Sequence, residues 1–326
     1  MTITTAFTEL VGCRHPIQNA GMGTASPALG AAVATAGALG MISGALLPPE
    51  TLENILNGID DISPGRLGVN FLIPFLEDRS VIDIAVGHCR VVEFFYGDPN
   101  EDLVRQVHAG SALAAWQVGS LNEAKSAVDA GCDFIIVQGF EAGGHVRGTV
   151  SLLPLLTRIL DEVTLPVVAA GGIAGASGLA AVLAAGAGAA RLGTRFVATP
   201  ESGYHPQYIQ NLINATDEDT VYTDRFSVMW PDAPHRVLKK SLDTAESCRD
   251  EIVGQATLNK EKIDILRFSV MCPFVGTSGN IEAMAQYAGQ SVGSVDSVKP
   301  AAEIVTELVQ GAEHLLNRQS LKGTAV

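Results

Sequence analysis

The stretch VQGFEAGGHVRG, residues 137–148, sets four glycines, one acid and one imidazole directly behind the apolar run Phe134-Ile135-Ile136-Val137. An imidazole titrates near neutrality and can take or return a proton at physiological pH. The Gly143-Gly144 pair lets the backbone ahead of His145 bend under something bulky and flat. A lone histidine is usually structural, so the weight given to His145 depends on where its loop lies. The other six histidines carry weaker cases. His15 precedes a proline at the start of a strand, His88 and His108 close helices where a cation meets the dipole, and His314 lies on the terminal helix. His205 and His235 are left without an assigned place.

A second chemical signal comes from two glycine-rich turns, AAGGIAG (169–175) and LGTRF (192–196). Bare backbone N–H groups and the positive end of a helix start suit an anion, and such turns after the last two strands of a barrel commonly bind phosphate. Gly171, Gly172 and Gly193, with the Thr194 hydroxyl, are the candidates. GMGTAS (21–26) resembles a dinucleotide fingerprint, yet the following strand runs into Ser43-Gly44-Ala45-Leu46-Leu47 without the acid that a ribose would need. It is not read as a Rossmann turn.

The elements that must position these residues alternate in type. Strands are predicted at 16–20, 39–43, 67–72, 91–96, 112–118, 134–138, 166–170 and 189–193, with helical stretches between them. Eight strands with seven intervening helices predict an α/β fold, a (β/α)8 TIM barrel, in which chemistry gathers at the carboxyl ends of the strands. Those ends carry Gly21-Met22, Asn70, Gln117, Gln138, Gly171-Gly172 and Gly193-Thr194. The chain left after the eighth strand exceeds one helix. It predicts a mostly helical insertion, with 1–215 and 300–326 forming the barrel, 216–299 a lid, and helices at 236–249, 258–266 and 280–288.

Composition narrows the partners. A formal net charge of −14 argues against a nucleic-acid backbone as ligand. No apolar stretch reaches the roughly 18 residues of a membrane span, and the start lacks a basic segment followed by an apolar block, so a cytoplasmic protein without a membrane partner is expected. Five widely spaced cysteines without C-x-x-C suggest neither a disulfide framework nor a metal site. Acidic, Ala-rich helices are compatible with a homodimer.

PIQNAGMG (16–23), GVNF (68–71), VQGFEAGGH (137–145), AAGGI (169–173), GTRFVATPES (193–202) and YAGQSVG (287–293) together resemble the nitronate monooxygenase family, formerly called 2-nitropropane dioxygenases, over nearly the whole chain. The resemblance implies an FMN-containing barrel with its phosphate held by the last two strand-end loops. It further implies that Gly21, Met22, Asn70, Gln117 and Gln138 contact the ring and ribityl parts, with Gly144 close to the ring. His145 would face substrate as general base, and Tyr287 and Gln290 would reach back from the insertion to substrate and flavin. The implied reaction is oxidation of nitronates or nitroalkanes by O2 to carbonyl compounds and nitrite. The alternative is an FMN-dependent NADH reductase of an enoyl thioester or quinone, since related enoyl-acyl-carrier-protein reductases share the E-A-G-G-H motif. Two departures touch the pocket rim: Gly21 stands where the family commonly has proline, and Arg147 has no assigned role. Glu141 is read as a loop anchor.

Overall fold

A computed structural model describes residues 3–59, 66–258 and 261–322. Eight parallel strands, Ile17–Asn19, Gly40–Ser43, Leu67–Leu72, Val91–Phe95, Leu113–Val118, Phe134–Gln138, Val167–Ala170 and Ala189–Leu192, form one sheet in which each pairs with its neighbours. The first strand also pairs with the eighth, Gln18 opposite Arg191. Between strands one and two the ladder shrinks to a single bridge, Gln18 to Leu39. Here the buried Asn19 amide substitutes for it, accepting from the Met41 N–H at 2.7 Å and donating to the Met41 carbonyl at 2.9 Å. The cylinder is thereby closed, and the predicted TIM barrel is present with every strand within about a residue of its expected bounds.

Among the described residues seven α-helices lie between the strands, from Pro27–Thr35 to Ala176–Ala184, and the terminal helix Ala301–Lys322 packs against both of those two to complete the outer ring. Ser26, Asn100 and Ser120 cap their helices through the side chain, as their residue types predict. Strand residues alternate between two interiors. Val69, Val92, Ile135 and Val137 face the helices, whereas Val91, Leu113, Ala115, Phe134 and Ile136 fill the cylinder. The amino-terminal helix Ala6–Val11, held by the Thr5 capping box, plugs the bottom with Phe7 set edge-on to Phe134 at 5.3 Å.

Above that apolar layer the cylinder turns polar. Glu93 is 0% exposed and pairs with Arg191, while accepting from Asn70 Nδ2 at 2.8 Å and Gln18 Nε2 at 3.2 Å. Strands one, three, four and eight each supply one member. A buried carboxylate is tolerable here because three donors replace its water.

The insertion corrects the sequence reading. Pro206–Ile213 is helical, but among the described residues of 216–299 only Lys239–Ser247 is α-helix, so the helix expected at 236–249 begins late, after the strand His235–Leu238. Residues 258–266 were expected to be helical, yet Ile252–Leu258 and Glu261–Leu266 pair antiparallel, and 280–288 holds only the 3-10 turn Ile281–Ala283. The reason is period two: Ile263 and Ile265 alternate with charges, and Ile265 joins Val253 and Ala256 in a separate small core. Thr220–Thr223 and His235–Leu238 form a second sheet, whose third strand is Gly144–His145 of the barrel.

Removing one partner of the axial pair leaves an uncompensated buried charge. Glu93→Leu is expected to lower unfolding free energy by about 3–5 kcal/mol, and the double replacement with Arg191→Leu by less than the sum of the singles. Chemical denaturation of the four proteins measures this coupling.

Candidate active site

A cavity of about 290 Å³ opens over the polar layer at the carboxyl ends of the strands. Gly21, Met22, Asn70, Gln117, Gln138, Gly144, His145, Gly171, Gly172, Gly193, Thr194 and Tyr287 all line it. Gln290 does not. It is exposed, its backbone N–H donates to the Glu141 carbonyl at 2.9 Å, and its neighbours Gly289 and Ser291 line the cavity in its place. The expectation for Gln290 is therefore corrected: the segment returns to the site through its backbone rather than through that side chain.

Two loops cross tightly beneath His145. A Cβ on Gly143 would stand 2.4 Å from the Gly289 nitrogen, so only glycine allows the approach. Glu141 anchors the loop on the other side, its carboxylate accepting from the Leu152 N–H at 2.8 and 3.1 Å at the start of the helix Leu152–Leu160, where the Ser151 side chain makes no cap. Arg147 acquires a role. Its guanidinium donates to Glu123 at 2.7 Å and Asp98 at 2.5 Å, tying the loop to the ends of strands four and five. The Gln138 amide donates to the His145 carbonyl at 3.0 Å, and its Oε1 is buried without a partner, an acceptor available to a bound group.

His145 itself stands in an aromatic box. Its ring stacks on Trp230 at 4.0 Å and 28°, with Tyr287 at 5.3 Å, Tyr96 at 6.1 Å and the His235 ring at 5.2 Å. Burial, and secondarily the second imidazole, push its pKa down to about 3, so the ring is neutral at physiological pH. His235 was left unplaced by the sequence; pairing with His145 brings it to the site. His205 lies elsewhere, capping Pro206–Ile213 with Nδ1.

The cavity also takes residues that strand-end reasoning did not reach: Arg191 from below, Tyr204 and Tyr208 from the segment that follows the eighth strand, and Met229, Trp230 and Cys272 from the insertion. Trp230 carried a usable signal, being one of two tryptophans in the chain and set among Met229, Pro231 and Asp232. Leu46 and Met229, 59% and 56% exposed, give the mouth an apolar rim.

At the far end, Gly171 and Gly172 adopt left-handed φ values of +100° and +67°, and Gly193 begins the short helix Thr194–Val197. The Thr194 hydroxyl accepts from the Gly289 N–H at 3.0 Å and keeps its own proton to donate. Glycine turns, a hydroxyl and an unpartnered Gln138 oxygen on one side, and an aromatic wall on the other, fit a flat cofactor with an anionic tail.

The nitronate monooxygenase family model matches residues 4–85 and 77–311. The chain belongs to the nitronate monooxygenase family. It is accordingly a flavin-dependent oxidoreductase. A (3aS,4S,5R,7aS)-5-hydroxy-7a-methyl-1-oxo-octahydro-1H-indene-4-carboxyl-CoA dehydrogenase of Rhodococcus jostii is 36% identical over 242 residues, 74% of this chain and 67% of that one. Among solved structures, FabK of Thermotoga maritima superposes with a TM-score of 0.82 at 29% identity over 99% of both chains. A nitroalkane oxidase of Streptomyces ansochromogenes gives 0.74 at 26% identity over 95% of this chain and 100% of its own. Among the described residues, no helix is long and apolar enough to cross a membrane.

The crossing under His145 makes a sharp expectation. Gly143→Ala should destabilise the protein by about 1–3 kcal/mol through overpacking, whereas Gly87→Ala, inside the helix Ser80–His88 with nothing within 4 Å of its Cβ, should match or slightly exceed wild type. Thermal and denaturant melts of both variants measure the difference.

Proposed function

We propose that the cavity holds FMN and that the enzyme oxidises nitronates and nitroalkanes with O2 to carbonyl compounds and nitrite, with His145 as catalytic base. In this reading the backbone of Gly171, Gly172 and Gly193 and the Thr194 hydroxyl hold the phosphate. Gly21, Met22, Asn70, Gln117 and Gln138 run along the ribityl chain and ring, Gly144 lies close under the ring, and Tyr287 offers its face to substrate. The chemistry supplied by the flavin when bound is acceptance of electrons from the substrate and their delivery to O2.

The observation that carries the reading is the neutral imidazole at the cavity wall. A nitronate is already an anion and needs placement only. A nitroalkane must first lose its α-proton, and among carbon acids that hydrogen is unusually acidic, so a weak neutral base suffices. The negative charge left on the substrate stabilises the imidazolium formed beside it, and the stacked Trp230 face adds cation–π stabilisation.

A second reading, dehydrogenation or reduction of an acyl thioester, is favoured by the 36% identity to a carboxyl-CoA dehydrogenase. Against it, among the described residues the lining offers no lysine, and Arg191, its one arginine, is engaged by Glu93, so none of them is a free cation for the phosphates of a coenzyme A. A thioester α-hydrogen is also far less acidic than that of a nitroalkane, and asks more of a base held near pKa 3.

His145→Asn is expected to lower turnover of a neutral nitroalkane by about 10²–10⁴-fold and to leave preformed nitronate within a few-fold of wild type; equal losses would remove the base role. Because the base works unprotonated and titrates near 3, kcat/KM for the neutral substrate should hold level as pH falls through 6.5, where an ordinary imidazole would begin to lose activity. Anaerobic mixing separates the two readings. Flavin bleaching by propyl-2-nitronate supports the oxidase, and bleaching by NADH or an acyl thioester instead overturns it.

A further inference from the structure

His235 shares a face with the base and is given no role by the oxidation chemistry. It lies directly opposite His145 in the antiparallel pairing, so the two side chains project from the same side of the small sheet, with ring centroids 5.2 Å apart and planes inclined at 62°. Its tautomer is fixed. Nδ1 lies 2.9 Å from the Ala233 carbonyl, which can only accept, so the Nδ1 atom of neutral His235 carries the proton and its Nε2 presents a bare lone pair. That Nε2 is buried without a hydrogen-bond partner, and so is Nε2 of His145. Since His145 lines the cavity while its Nε2 is shut off, Nδ1 is the nitrogen that can meet a substrate.

From this juxtaposition we propose that His235 is a positioning residue that sets the tautomer of His145. The His235 lone pair favours a proton on His145 Nε2, because a second bare nitrogen buried nearby without any donor would repel it, and this leaves the lone pair of His145 on Nδ1, the nitrogen open to the cavity. The α-proton then passes from carbon to Nδ1 as the C–H bond breaks, its electron pair staying on the substrate. The imidazolium so formed keeps its proton on Nε2, in the buried region it shares with the His235 ring. Trp230 fixes the ring plane by stacking, and Phe226 and Tyr287 pack against His235 from the remaining sides. Asp224 is the charged group acting on His235. The inference rests on the reading of His145 as the base, but its first test does not depend on the substrate.

Nitrogen-15 spectra of histidine-labelled, flavin-loaded protein at pH 7 report the tautomer directly. Wild type should show His145 protonated on Nε2 and bare on Nδ1. Two replacements divide the functions of His235. In His235→Gln the amide reaches the position of Nε2 and restores an acceptor there, whereas the shorter side chain of His235→Asn reaches only the Nδ1 position and keeps the bond to Ala233. The Gln variant should retain the wild-type tautomer and activity within a few-fold. The Asn and Phe variants should lose the tautomer preference and about 10- to 100-fold of turnover with a neutral nitroalkane, while preformed nitronate is spared. A purely structural role predicts the reverse order, with Asn the better substitute, and that ranking would overturn the proposal. So would an Nδ1-protonated His145 in wild type, or an unchanged tautomer in His235→Phe. If the tautomers follow the expected order while wild type oxidises no nitro compound, the positioning role stands and the proposed substrate falls.

Discussion

Two residues of backbone pairing determine what the mouth of this barrel is. Gly144 and His145 leave the sixth barrel strand, and instead of forming a free loop they lie antiparallel to Arg236 and His235 of the insertion. This contact sets the His145 ring against Trp230 and Tyr287 and brings a second imidazole beside it. Without it the motif would be a glycine-rich loop of the kind that moves freely. With it, the side chain is desolvated on one edge and open to the cavity on the other. The pairing continues through the insertion, because His235 begins the strand that also pairs with Thr220–Thr223, and the Leu238 N–H reaches the Gln286 carbonyl near the returning Tyr287 segment. The insertion is therefore a wall of the site.

The barrel supplies the complementary rigidity from below. A charged layer of Glu93, Arg191, Asn70 and Gln18 lies between the apolar plug around Phe7 and the cavity floor. Such a layer adds little net stability against a well-packed apolar alternative, since desolvation offsets most of the Coulombic gain. Its value is geometric. Each member comes from a different strand, and the hydrogen bonds to Glu93 hold the lining residues Asn70 and Arg191 in fixed orientations at the cavity floor. Glycines do the same above it by permitting close approach, most tightly where Gly143 passes Gly289.

Much of this was legible in the sequence because the signals were local. Most barrel strands announce themselves as a short apolar run that carries or precedes a glycine or an amide, so six of the strand ends, and with them Asn70, Gln138 and the glycine turns, could be read in order. The insertion resisted for a physical reason. Its strands are short, one pairing is with a partner distant in sequence, Gly144–His145 with His235–Arg236, and in the local hairpin of Ile252–Leu258 and Glu261–Leu266 the alternation at Ile263 and Ile265 spans too few residues to outweigh helix-favouring neighbours such as Glu261 and Lys262. The partner of His145 was invisible because nothing within one stretch records which strand it will meet. Gln290 failed differently: its segment does return to the cavity, but a motif does not reveal whether its side chain or its backbone makes the contact.

The same burial that lowers the basicity of His145 also selects the chemistry available to it. A strongly basic group at this wall would be protonated at neutral pH and would repel no anion, so nitronate and neutral nitroalkane would compete for one charged site. A neutral imidazole in an aromatic box reverses this. In the proposed reading it presents an acceptor to a neutral carbon acid, gains its stabilisation only as negative charge appears on the substrate, and thereby favours the charge-separated state over the ground state, which is the condition for an interaction to accelerate a reaction rather than merely bind. The apolar rim of Leu46 and Met229 suits a substrate whose body is uncharged and whose polar head alone reaches His145. Low dielectric at the head group and apolar contact along the body are thus two consequences of one feature, the insertion strand that closes over Gly144 and His145.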